Sequence, residues 1–194
     1  MIRRVCILRT PGGFLIRGIH MKIIGRRIGA AIIGTALFFI FSRYASIPIS
    51  NGIYISFQYA ILGFFSAMYG PVVGMIIGLV GHALVDYSFG WGIWWSWVIA
   101  SGTVGLIGGF LVKQENMDKG IFEKPDISRF IVGNFLVHAV AWGLIAPVLD
   151  ILLYDELATV VFTQGATAAV SNFIVTAVIG TLLITSNARS HIAK

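Results

Sequence analysis

Charge is what this chain of 194 residues lacks most. Its 14 Lys and Arg and 8 Asp and Glu amount to 11% of the residues, against about 25% in a soluble domain. So few charged side chains cannot clothe a water-soluble surface of this size, which argues against a large soluble enzyme and a disordered tail. Cysteine is nearly absent as well. Cys6 stands alone, so there is neither an internal disulfide framework nor a cysteine zinc cluster. Acidic residues are scarcer than basic ones, giving a net charge of +6 and a pI near 9.8. In a soluble protein that balance points to nucleic acid; in a membrane protein it reflects cationic cytoplasmic ends, and nucleic acid is not expected as a partner. Also missing are a Gly-x-Ser-x-Gly elbow, a His-Glu-x-x-His pair and a Walker-type glycine loop, so the chain is not expected to be an enzyme or to hydrolyse ATP itself.

What the chain does have is apolar length. Hydrophobic residues make up 57% and the mean hydropathy is +0.89. The 23 glycines and 13% aromatics suit packed membrane helices, where small residues let backbones approach and Trp and Tyr line the interfaces. The expected fold is all-α, a bundle of six transmembrane helices over about 27–44, 54–70, 71–87, 92–112, 127–148 and 161–185, each near the roughly 20 residues a crossing needs. The second and third share no polar linker. Gly70-Pro71 divides them, a dipeptide that ends one helix and opens the next. Residues 1–20 differ: Arg interrupts every apolar stretch and Pro11-Gly12-Gly13 is expected to break any helix. They read as a basic, mobile extension without a signal-peptide core, and Met21 makes a natural start for the membrane domain of 21–194.

Basic residues orient the bundle. Thirteen lie before the first span, around the 113–126 loop, or after the sixth span, and only Arg43 falls on the opposite side, with Asp86, Asp150, Asp155 and Glu156. The positive-inside rule then puts both termini and that loop in the cytoplasm of a bacterial plasma membrane.

Small residues recur at four-residue spacing: Gly25 and Gly29, Ala30 and Gly34, Gly74 and Gly78, Ser101, Gly105 and Gly109. Internal packing accounts for most such rows, and one row facing another membrane protein is the sharper alternative, with span one the better candidate. Intramembrane polar groups are costly in hydrocarbon and mark cavities or partners. His82 and Asp86 share one face of span three; Asn134, His138 and Trp142 share one face of span five; Ser56 and Gln58 lie on span two, Gln164 and Asn172 on span six. Nearly all fall in the outer half, beside Trp91, Trp94, Trp95 and Trp97. They describe either a small-molecule cavity with aromatic walls or, for the tryptophans, an interfacial belt, and for His82 with Asp86 a structural pair. A membrane enzyme or a metal site using His82, Asp86 and His138 is the alternative of a different class. No metal or other cofactor is expected.

The run from Gly34 to Pro48 resembles the first helix and following loop of substrate-binding S components of energy-coupling factor (ECF) vitamin transporters. So do Ile55-Ser-Phe-Gln-Tyr-Ala60, Tyr69-Gly-Pro-Val-Val-Gly74, the run from Gly78 to Asp86 and the run from Trp94 to Gly102. The likeness covers roughly 25–190 and is closest to the branch grouped with riboflavin-type and hydroxymethylpyrimidine-type S components. It implies a six-helix protein that binds a vitamin or precursor from outside and associates with a transmembrane coupling subunit driven by two ABC-type ATPases. The small residues of the coupling face map to Ala30, Ala31, Gly34 and Thr35. The pocket positions map to Asn51, Trp94, Trp95, His138, Trp142 and Asn172. Stacking on Trp142 beside the hydrogen-bonding heads of His138 and Asn172 suits a flat heteroaromatic ring such as a pyrimidine, with His82 and Asp86 supporting the outer rim.

Overall fold

Gly70 takes a φ of 95°, closing one helix by donating its N–H to the Ser66 carbonyl, and Pro71 opens the next at its first turn, where the missing proline N–H costs nothing. This junction is one of several in a computed structural model that describes residues 11–50, 53–90 and 92–192. The elements are α1 (Pro11–Tyr44), strands β1 (Ser46–Ser50) and β2 (Ile53–Ser56), α2 (Gln58–Tyr69), α3 (Pro71–Phe89), α4 (Trp95–Gly108) and the short α5 (Gln114–Asp118). Two long rods follow. In the first, α6 (Lys124–Val140) passes through a π-helical turn at Ala141–Ile145 into α7 (Ala146–Tyr154). In the second, α8 (Ala158–Val175) passes through a π turn at Thr176–Gly180 into α9 (Thr181–Ile192). Pro147 accounts for the first π turn, because it can supply no N–H to the ladder and crowds the carbonyl four residues back.

The molecule is an α-helical membrane protein with four helices long and apolar enough to cross a bilayer among the described residues: Met21–Tyr44, Pro71–Phe89, Lys124–Tyr154 and Ala158–Ser190. The segments expected at 54–70 and 92–112 are helical only over 58–69 and 95–108. Residues 53–56 pair instead with 46–50 as an antiparallel hairpin, with Ile47 opposite Ile55 and Pro48 opposite Tyr54. Gly90 and Gly92, with φ of 82° and 88°, keep the fourth helix from starting before Trp95, since helices need negative φ. The all-α expectation therefore needs one amendment, the hairpin. A second correction concerns Pro11-Gly12-Gly13. They begin α1 rather than break it, because proline is tolerated in a helix's first turn.

Helices α3 and α4 make the closest contact. A Cβ built on Gly78 would stand 2.7 Å from the Ser101 carbonyl carbon and 2.9 Å from the Gly102 nitrogen, and Gly74 and Gly105 face each other in the same way. Small residues thus replace the hydrophobic drive that lipid cannot provide. Phe38, Leu62, Ile77 and Trp142 anchor the main core. A second apolar cluster of Ala67, Met117, Phe122, Phe130 and Ile184 closes the end where α5 lies. There Arg26 pairs with Asp118 at 2.6 Å, and Gln114 Nε2 donates to the Ala67 carbonyl at the end of α2. Arg26 of α1, the α5 loop and the start of α6 thus share one end, while Arg43 in the last turn of α1 lies with the hairpin at the other.

Candidate functional site

At the hairpin end the helices part around a cavity of about 400 Å³. Its polar lining comes from every side. The hairpin region contributes Ser46, Tyr54 and Ser56, α2 contributes Gln58 and Tyr59, α3 contributes His82 and Asp86, and α8 contributes Gln164 and Asn172. Trp94, Trp97, Phe89 and the two acids Asp150 and Glu156 complete the walls.

Two hydrogen-bond clusters hold these groups. In the first, His82 Nε2 faces Asp86 Oδ1 at 3.5 Å, His82 Nδ1 meets Ser101 Oγ at 2.6 Å, and the Tyr59 hydroxyl meets the same Ser101 Oγ at 2.9 Å. The Trp94 backbone N–H donates to Asp86 Oδ2 at 2.9 Å. In the second, Asp150 on α7, 1% exposed, accepts from three donors at the start of α4. Trp94 Nε1 donates at 2.6 Å, Trp97 Nε1 at 2.9 Å, and the Ser96 hydroxyl binds the same carboxylate. Trp94 also stacks on Tyr154 with centroids 4.3 Å apart. One carboxylate thus fixes two tryptophans of another helix as a rigid wall.

Of the residues singled out from sequence, Ser56, Gln58, His82, Asp86, Trp94, Trp97, Gln164 and Asn172 line the cavity. His138 and Trp142 do not. Both are fully buried, and they bond to each other, Trp142 Nε1 donating to His138 Nδ1 at 3.0 Å, with His138 Nε2 on Thr176 Oγ1 at 3.1 Å. They sit directly behind the lining, Tyr59 meeting both rings edge-on at 5.7 and 5.4 Å and Trp97 lying 5.2 Å from Trp142. Trp95 is 52% exposed and turned outward. Asn51 lies outside the described residues, as does Trp91. On α1, Ala30 is buried and a Cβ built on Gly34 would collide with Ile77 Cδ1 and stand 3.1 Å from Phe65 Cδ1, whereas Ala31 and Thr35 are half-buried. Asp150, Glu156 and Tyr59 escaped the sequence reading. Asp150 counted there only as a charge on one side, and no spacing rule links it to indoles more than fifty residues away.

Ser101, His82 and Asp86 unite the three side-chain types of a hydrolytic triad, but Ser101 is wholly buried, outside the lining, and shared with Tyr59. Among the described residues no three His, Cys, Asp or Glu side chains converge as a metal site. The arrangement is built to bind.

Residues 23–189 match the family model described as "ECF-type riboflavin transporter, S component". The chain belongs to that family. As an S component it is the substrate-binding subunit of a vitamin-type membrane transporter. Its relatives include a UPF0397 protein of Lactococcus lactis subsp. cremoris (strain NZ9000), 50% identical over 155 residues, covering 78% of this chain and 84% of the relative. UPF0397 protein YdcD of Lactococcus lactis subsp. lactis (strain IL1403) is 48% identical over the same length, again 78% and 84% of the two chains. UPF0397 protein SA2477 of Staphylococcus aureus (strain N315) is 41% identical over 163 residues, 84% and 89% of the two chains. No solved structure matches this S component.

Proposed function

We propose that this S component crosses a bacterial plasma membrane six times with both termini in the cytoplasm. In this reading it binds a small heteroaromatic vitamin or precursor, of hydroxymethylpyrimidine, pyridoxine or riboflavin type, in the hairpin-end cavity. It releases that ligand inward through a coupling subunit powered by two ABC-type ATPases. The observation that carries the reading is the cavity, about 400 Å³, at the low end of the roughly 300–1,000 Å³ of small-molecule pockets. It combines tryptophan walls with a few hydrogen-bonding heads and lies at the end that holds Arg43 alone of the basic residues among the described residues, which by the positive-inside rule is the outside. On this view α2 and α4 complete their crossings through the hairpin and the turns that flank them.

Helix α1 supports the coupling role. Only 17% of its apolar window is buried, against 33–39% in the other three long spans, so it lies at the edge of the bundle. The coupling face we propose runs along Ala31 and Thr35, with Ala30 and Gly34 beneath setting how closely α1 seats on α2 and α3. Native mass spectrometry of the purified chain, alone and co-expressed with the coupling subunit and ATPases, tests the reading. A retained flat-ring vitamin and a stable complex are expected. A chain that carries no small molecule and forms no complex would sink it.

A further inference from the structure

The cavity's lining has an unbalanced charge. Asp86, Asp150 and Glu156 all line it, and no Lys or Arg does among the described residues. Arg43, the one Lys or Arg of this end among the described residues, spreads over the Phe89 ring at 4.5 Å and is not part of the lining. Every ion pair found among the described residues involves other carboxylates than Asp150 and Glu156. Asp150 is instead satisfied by neutral donors, two indoles and a hydroxyl, which stabilise a carboxylate without cancelling its charge. An independent sign comes from α2. Gln58, only 7% exposed, lines the cavity, and its Oε1 is buried without a hydrogen-bond partner among the described residues. A buried acceptor left unmet costs about 1–3 kcal/mol, a cost that a donor on the ligand would remove.

We propose that this cavity selects a flat, positively charged, hydrogen-bond-donating ligand, its charge facing Asp150 and Glu156 and a donor facing Gln58 Oε1. The inference rests on the transport reading above and narrows its ligand to cationic nitrogen heterocycles. An anionic ring would add charge to a wall that already carries three carboxylates. A neutral ring would gain the aromatic contacts and forgo the attraction. A cation gains both, because the indole faces of Trp94 and Trp97 also favour positive charge.

Three closely related pyridine probes decide the matter: 1-methylnicotinamide, a permanent cation; nicotinamide, neutral; and nicotinate, an anion. Each is titrated calorimetrically against the full chain in nanodiscs. The cation is expected to bind at least about tenfold more tightly than nicotinate. Glu156→Gln and Asp150→Asn are each expected to weaken the cation about tenfold while changing nicotinamide less than about twofold. Glu156→Gln guards against misfolding of the Asp150 variant, since no ion pair involves Glu156 among the described residues. Equal or tighter binding of nicotinate, no cation binding at about 10 mM, or cation affinity unmoved in Glu156→Gln overturns the inference. Co-purification with the coupling subunit separates the two readings. A chain that forms the complex but prefers nicotinate loses only the charge inference; one that prefers the cation and never forms the complex loses only the transport reading.

Discussion

Asp150 shows how much one side chain can organise. Its carboxylate is the shared acceptor for Trp94, Ser96 and Trp97, so replacing it by leucine orphans three donors, each worth about 1–3 kcal/mol when buried. Asp150→Leu should therefore lower the unfolding temperature in detergent clearly more than Asp150→Asn, which keeps one acceptor oxygen, and it should shift tryptophan emission to the red. Equal shifts in both variants would mean that charge, not hydrogen bonding, holds the wall. His138 has a different role. Because it bonds Trp142 and Thr176 behind the lining, His138→Ala is expected to cost about 1–3 kcal/mol of stability and to change ligand affinity less than Glu156→Gln does. Parallel thermal and calorimetric titrations check the order; a larger affinity loss in His138→Ala would put that ring in contact with ligand. Four-residue spacing made His138 and Trp142 neighbours in the sequence reading, and they are. It could not say that they satisfy one another, because whether a buried head faces a cavity or its own neighbour depends on Tyr59 and Thr176, brought in by two other helices.

At the scale of elements, glycine placement sorts the helix pairs. Gly78 lies against the α4 backbone, while Gly29 on α1 has nothing within 4 Å of where a Cβ would be. Gly78→Ala should cost about 1–3 kcal/mol by forcing α3 from α4, seen as a lower melting temperature of the solitary chain. Gly29→Ala should leave that temperature unchanged or slightly raised, since alanine favours helix. Equal effects would show that α3 and α4 are not held at backbone contact. Gly34→Leu belongs with Gly78→Ala: its would-be Cβ already crowds Ile77 and Phe65, so destabilisation of the chain alone is expected before any effect on assembly. The helices were largely legible, because long apolar runs and Gly70-Pro71 carry strong local signals. The hairpin was not. An apolar run beginning at Ile53 fits a buried strand or the start of a helix equally well, and only pairing with residues 46–50 selects the strand. The two π turns are equally silent, though Pro147 marks the first.

For the molecule as a whole, the segregation of charge implies a fixed sidedness. With Cys6 replaced by serine, single cysteines at Lys119 and Asp155 should label from opposite faces of intact cells, Asp155→Cys from outside. Labelling of both from outside would overturn the topology and with it the direction of transport.

The apolar plug of Ala67, Met117, Phe122, Phe130 and Ile184 closes one end, and the polar residues of the cavity gather at the other. Substitutions that far apart act almost independently. Selection can therefore rewrite which molecule is recognised, one wall residue at a time, while the closed end stays unaltered.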